Sequence, residues 1–293
     1  MKTCIKLSFI FSFIFFNAIE AQNFDDAIIE TIKLSDQIYV LTGPGGNIGV
    51  SIGNDGVFVI DDKYAPLTPK IEAAINALTD KHVKFLVNTH HHGDHTGGNT
   101  NMEKLGATII AHDNVRQHLE KDGEGNNINE KGGLPIITFN DKLSLYINGE
   151  KVSVFHVDHA HTDGDAMLYF NQSNVLHTGD VYFNGMYPYI DLNSGGSING
   201  YIEAVKKGLE AINDDTKIIP GHGKVSNKSE YKIFLSMLET LKANVLTEIE
   251  KGKTEDEVAV DTSITKTYDD LSYSWGFINS EKIRRTIYKS LMN

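Results

Sequence analysis

Residues 87–100 read VNTHHHGDHTGGNT, and four histidines and one aspartate fall within six of those positions. So dense a group of imidazoles beside a carboxylate restricts the chain to a few descriptions. It is a chance polar cluster, a metal-storage tract, or one half of a catalytic metal site. They differ in what the rest of the chain must supply. A catalytic site needs further ligands from distant elements, and a storage tract needs none.

The surrounding chain is that of a large folded domain. With 293 residues, 40% hydrophobic and 23% charged, it can bury a substantial core. The first 21 residues stand apart. Lys2 and Lys6 precede an apolar run over residues 7–16, and a small residue, Ala21, closes the segment. That order predicts a cleaved signal peptide over residues 1–21, export to the periplasm or the outside, and a single mature domain over residues 22–293. The apolar run is too short to cross a bilayer, so no stable membrane anchor is expected after cleavage. Cleavage would also remove Cys4, the one cysteine, and leave any metal to histidine and carboxylate ligands. The formal net charge is −12, with no basic run to follow a phosphate backbone, which argues against nucleic acid as a partner.

Strand-like runs QIYVLTG, NIGVSIG and GVFVID open the mature chain. The glycines between them suit hairpin turns better than a phosphate loop, because neither Gly-Lys-Ser/Thr nor a helix follows. Residues 67–80 are predicted helical, with Ile71, Ala74, Ile75 and Leu78 on one face. The strand VKFLVNT leads into the histidine cluster. A strand ATIIAH and a helix over 114–121 follow, and residues 121–133 read as a polar flap or surface insertion. KLSLYI, KVSVFHV, AMLYF and NVLHTGD are predicted strands. Helices are expected over 198–212, over 230–250, near Glu255 and over 279–291, with the strand TKIIPG after the first. Strands in both halves, each closed by helices, predict an α/β domain of two packed sheets with helices outside.

The other candidate ligands stand at the ends of those strands. His161 follows KVSVFHV, Asp180 closes NVLHTGD, and His222 follows TKIIPG. His90 and His92 project two imidazoles from one turn. A third from a distant strand makes a three-nitrogen site with a position open to water, as in catalytic rather than structural zinc. Asp94, His95 and His222 can build a second site beside it, with Asp180 spanning the two. A storage tract needs no such dispersed partners.

HHHGDH followed by His161, Asp180 and His222 resembles the metallo-β-lactamase superfamily, and the resemblance covers nearly all of the mature chain. It implies an αββα sandwich of two mixed sheets with two Zn2+ at one sheet edge. It also implies that His90, His92 and His161 hold the first ion, that Asp94, His95 and His222 hold the second, and that Asp180 bridges. The expected chemistry is hydrolysis of a small ester, lactone or amide by a metal-bridging hydroxide that Asp94 orients. The locally positive site is expected to draw an anionic small-molecule substrate. Aspartate at position 180 is more like the lactonase, thioesterase and phosphodiesterase branches than the zinc β-lactamases, which commonly carry cysteine or serine there. Hydrolysis of β-lactam antibiotics is the alternative, and export suits it. Export argues against cytosolic glyoxalase-type thioesters. A further alternative, a mononuclear iron sulfur dioxygenase of the same fold, would leave His95 and His222 without a ligand role.

Tyr182, Phe183, Tyr187 and Tyr189, directly after Asp180, are the candidate pocket residues. His91 is expected to point away from the metals. His156, His159 and His177 are expected to orient ligands, and His82, His112 and His118 to be structural or exposed. Trp275 is assigned to a subunit contact or to the core.

Overall fold

The computed structural model describes residues 24–126 and 132–293. The expected signal peptide therefore lies outside the described residues, as do residues 127–131 of the polar stretch. Among the described residues, seven strands form one sheet in chain order. They are β1 (Glu30–Lys33), β2 (Ile38–Thr42), β3 (Ile48–Gly53), β4 (Gly56–Ile60), β5 (Val83–Val87), β6 (Thr108–His112) and β7 (Ile137–Phe139). Neighbours are antiparallel up to β4 and parallel from β4 to β7. Six strands form the other: β8 (Lys142–Ile147), β9 (Glu150–His156), β10 (Ala166–Phe170), β11 (Val175–His177), β12 (Lys217–Ile219) and β13 (Ser226–Asn227). Here β11 and β12 are parallel and the other pairs antiparallel. Both sheets are mixed.

Strand β4 shows why the sheets pack as they do. All five residues of GVFVI are buried, and their alternation splits them between two faces. Phe58 and Ile60 join Val87, Ile110, Val154 and Leu168 between the sheets. Val57 and Val59 turn outward to meet Ile71, Ile75 and Met102 on the helices. A strand covered on both faces reads as a continuous apolar run, which is why GVFVI lacks a polar alternation.

Four helices belong to the first sheet: α1 (Thr68–Asn76), α2 (Gly93–Thr96), α3 (Asn99–Lys104) and α4 (Asp113–Asn126). Pro69 in the first turn favours the start of α1. The helix stops before the predicted residue 80. The N–H groups of Leu78 and Thr79 both turn back to the Ile75 carbonyl, and the Thr79 hydroxyl takes the Lys81 N–H, a local turn that competes with the helix. Helix α4 runs five residues past the predicted 121, so the polar stretch begins as helix rather than loop. The outer face of the second sheet is covered by α5 (Ile198–Glu210), α6 (Lys228–Glu250), α7 (Glu255–Val260), α8 (Lys266–Asp269) and α9 (Ser280–Met292). Ser197, Asn227, Thr254 and Asn279 cap four of these with their side chains. Phe155, Met167, Leu176 and Ile218 from the sheet pack against Tyr201, Phe234, Leu238 and Ile283 from that layer. The result is helix, sheet, sheet, helix, an αββα sandwich.

Candidate metal centre

The C-terminal ends of β4, β5, β9, β11 and β12 open onto one edge of the sandwich, and each delivers a polar residue there. Strand β5 runs into His90 and His92, and the short helix α2 turns Asp94 and His95 back toward them. His161 stands in the β9–β10 connection, Asp180 just after β11, and His222 just after β12. The parallel β11–β12 pairing is what brings Asp180 and His222 to the same end.

All seven predicted ligands converge. The inward nitrogens of His90, His92 and His161 form one group within 4.8 Å, Asp94, His95 and His222 form another, and His90, His95 and Asp180 form a third between them. Asp180 divides its two oxygens. Oδ2 lies 3.8 Å from His90 Nε2 and 3.5 Å from His161 Nε2, while Oδ1 lies 3.0 Å from His95 Nε2 and 3.4 Å from His222 Nε2. Asp94 Oδ2 lies 3.3 Å from His222 Nε2.

Hydrogen bonds on the outer side of four of the five rings fix which nitrogen faces inward. The Thr89 hydroxyl donates to Asp61 Oδ2 at 2.7 Å, so at 3.0 Å it must accept from His90 Nδ1. His95 Nδ1 donates to the same Asp61 oxygen at 2.7 Å, and His161 Nδ1 donates to the Tyr189 carbonyl at 2.8 Å. His92 is reversed: its Nε2 donates to Asp191 at 3.0 Å and leaves Nδ1 inward. The inner nitrogens of His90, His92 and His161 are thereby left as lone pairs. Burial would lower His95, but Asp180, Asp94 and Asp61 raise it well above its ordinary value, so its inner nitrogen holds a proton that an ion would displace. His90 Nε2 is fully buried with no hydrogen-bond partner, and His92 Nδ1 faces His161 Nε2 at only 2.8 Å. Facing lone pairs at that distance repel unless a cation or proton lies between them. The donor set, imidazole and carboxylate with no thiolate, suits zinc in the manner of catalytic sites.

The electrostatics agree. Burial would raise Asp94, but His95 and His222 outweigh it and bring the carboxyl down to about 2. Burial would likewise raise Asp180, which His222, His95 and His90 hold well below the ordinary carboxylate range. Burial would lower His222, yet Asp180 and Asp94 lift it to about 9. A proton therefore sits at neutral pH where an ion would, and metal uptake would displace it. Burial brings His161 down to about 4, and Asp165, pushed up to about 7 by burial, holds its loop by accepting from the His161 and Thr162 N–H groups.

The positions that orient the ligands were not those expected. Among the described contacts, His156, His159 and His177 touch no side chain of the seven. His156 bonds the Asp165 carbonyl and Asp158, His159 the Gly195 carbonyl, and His177 the Asn47 carbonyl and the Gly179 N–H. Asp61, Thr89 and Asp191 do that work instead. Asp61 ends GVFVID as Asp180 ends NVLHTGD, a parallel visible in the sequence. His91 turns aside to stack on His118, ring centroids 4.1 Å apart, and His118 bonds Asp163.

Two of the four aromatic candidates belong elsewhere. Tyr182 and Tyr187 are buried in the core, where Tyr182 bonds Ser226 and Asn184 and Tyr187 bonds Asp269. Phe183 and Tyr189 line a cavity of about 510 Å³ over the metal centre, together with Gly45, Tyr64, Trp275 and Phe277. Trp275 is thus part of the cavity wall.

Replacing Asp61 with asparagine keeps the shape and removes the charge that two ligand shells share. It should weaken zinc binding by about 10–100-fold, the usual scale for an outer partner of a metal-bound histidine, which competition with a chromogenic chelator would measure. Unchanged affinity would show that the rings are held by packing alone.

Acid should destabilise the metal-free chain earlier than its carboxylates suggest. Burial lowers His177 to about 4 from an ordinary 6.5. Because the folded value is the lower one, its contribution is complete above 6.5 and is lost as pH falls toward 4. The melting temperature of chelator-treated protein should fall across that window, and less steeply in His177→Gln. Equal slopes would remove His177 from the account.

A family profile described as the metallo-beta-lactamase superfamily matches residues 41–222, which hold β3 through β12 and every candidate ligand. The chain belongs to the metallo-β-lactamase superfamily. Among curated proteins it is similar to a hydroxyacylglutathione hydrolase of Pelagibacter ubique, 30% identical over 165 residues, a match that covers 54% of this chain and 60% of the relative. Among solved structures it is similar to a metallo-beta-lactamase from Pontibacter korlensis, with a TM-score of 0.63 and 19% identity over 72% of this chain and 99% of the other. A sec-alkylsulfatase from Pseudomonas sp. superposes with a TM-score of 0.69 and 16% identity, over 89% of this chain and 50% of the other. At those identities the two structures establish the fold alone.

Proposed function

We propose that the chain is an exported dinuclear zinc hydrolase that cleaves a small ester, lactone or amide. The observation that carries this reading is the division of Asp180, one oxygen toward each group of histidines. A single ion would take only one of those oxygens and would leave His95 and His222 without a ligand role, which weighs against the iron dioxygenase alternative. Bound there, a pair of divalent ions polarises a carbonyl oxygen and lowers the pKa of water from nearly 16 toward about 7. The chain supplies the rest. Asp94, ionised and partly exposed at the cavity floor, orients the attacking oxygen. Asp180 holds the two halves of the site at a fixed spacing, and Asp61, Thr89 and Asp191 hold the rings. Export is supported by the basic, apolar and small-residue order of residues 1–21.

Metal analysis of the purified protein, followed by a panel of a lactone, a carboxylic ester and a chromogenic cephalosporin, tests the proposal. Two zinc ions per chain and turnover of the lactone or ester are expected. One iron per chain, or no turnover across the panel by the two-zinc protein, would overturn it. Turnover of the cephalosporin alone would make the chain a β-lactamase with an unusual aspartate.

A further inference from the structure

The cavity above the metal centre is built almost wholly from rings. On one side Phe183, His222 and Trp275 form a layered stack: Phe183 and His222 are 4.9 Å apart and inclined by 15°, and Trp275 lies 5.8 Å from Phe183 at 28°. On the other, Tyr189 stacks on His92 at 5.6 Å and meets Phe277 edge-on at 5.0 Å. Tyr64 closes a third side. Among the described residues lining this cavity there is no lysine or arginine. Lys282, outside that lining, donates to the Phe277 carbonyl at 3.0 Å, and its ammonium lies 3.6 Å from the Phe277 ring and 5.8 Å from the Tyr189 ring, where cation–π contact engages it. Trp275 is anchored in turn, its indole N–H donating to the Tyr187 carbonyl at 2.9 Å.

Such a wall leaves a ligand three things to contact: the metal centre at the floor, ring faces at the sides, and little that pairs with a second charge. Glutathione conjugates carry two carboxylates and an ammonium, and the described lining residues include no lysine or arginine to pair with the carboxylates. A flat apolar group fits instead, since ring pairs prefer stacked or edge-on contact at these separations and add about 0.5–1.5 kcal/mol beyond simple burial. The volume is in the range of small-ligand sites, with room for one ring system beside the reacting carbonyl.

We propose that the substrate carries a planar aromatic group beside the scissile bond, held between the Phe183–Trp275 stack and the Tyr189–Phe277 pair. The proposal rests on the hydrolase reading above. Trp275 is the one tryptophan in the chain, so its emission reports occupancy without turnover. Phenylacetate and cyclohexylacetate, titrated into the zinc-loaded protein, present the same carboxylate to the floor and differ in whether the ring is flat and aromatic. Phenylacetate should bind about tenfold more tightly, about 1.4 kcal/mol, and Phe277→Ala should remove the difference. Phe277 is half exposed, so its replacement leaves the core intact. Equal binding of the two acids, or a preference that survives Phe277→Ala, overturns the proposal. Methyl phenylacetate and methyl cyclohexylacetate then separate the two readings. Discrimination of the acids with neither ester cleaved would retire the ester reading and keep the aromatic subsite. Cleavage of both esters at equal kcat/KM would keep the hydrolase and retire the subsite.

Discussion

Asp180→Ala should lower kcat/KM about a thousandfold or more and reduce bound zinc from two ions to one or none. Loss of one preorganised polar group in a catalytic site commonly costs 10²–10³, and this carboxylate does more than one job. Among the described carboxylates it alone lies within 4 Å of imidazole nitrogens from both halves of the site: His90 and His161 on one side, His95 and His222 on the other. Without it, four crowded rings lose the negative charge that allows cations to sit among them. Kinetics on the best substrate from the panel and metal analysis of the same preparation would measure both effects. Full metal content with activity within tenfold of wild type would show that the other six residues suffice.

Gly221→Ala should be nearly as damaging, although glycine donates nothing. A methyl group at that position would lie 2.0 Å from Asp180 Oδ1 and 2.7 Å from the Gly179 carbonyl. Backbone cannot yield at that distance, so the Asp180 carboxylate must swing out of line. A roughly 100-fold loss of kcat/KM is expected, with 1–3 kcal/mol of destabilisation from overpacking. Gly93→Ala supplies the comparison. Gly93 lies between two predicted ligands, yet a methyl there would have no neighbour within 4 Å, and activity within about threefold of wild type is expected. Comparable losses in both variants would mean that position in the motif matters more than the space around it.

These two results probe the part of the site that was readable in the sequence. Each candidate ligand falls at the end of a strand-like run beside a turn, and such ends meet on one edge once two sheets pack with parallel strands among them. Order and chemistry were therefore enough to nominate all seven. The cavity wall was not readable in the same way. Tyr182 and Tyr187 sit in the same segment as Phe183 and Tyr189, and nothing in their local spacing separates core from pocket. Helices α5 and α6 decide that by covering Tyr182, and the Asp269 region by covering Tyr187. Trp275 and Phe277 reach the site from about fifty residues beyond the last ligand, through packing that no periodicity in their own stretch announces. The end of α1 was misjudged for a local reason, since the Thr79 turn outweighs the apolar pattern that continues to Leu78.

Asp61 has a role that extends past positioning. One of its oxygens takes the His95 Nδ1 proton directly and, through the Thr89 hydroxyl, also holds the tautomer of His90. Those rings belong to opposite halves of the centre. In the proposed two-ion enzyme, an ion entering either half would stiffen this shared carboxylate and prepare the other half, so uptake is expected to be all-or-none rather than stepwise. Zinc added slowly to the stripped chain should then partition into empty and fully loaded molecules, and native mass spectrometry should find few carrying a single ion.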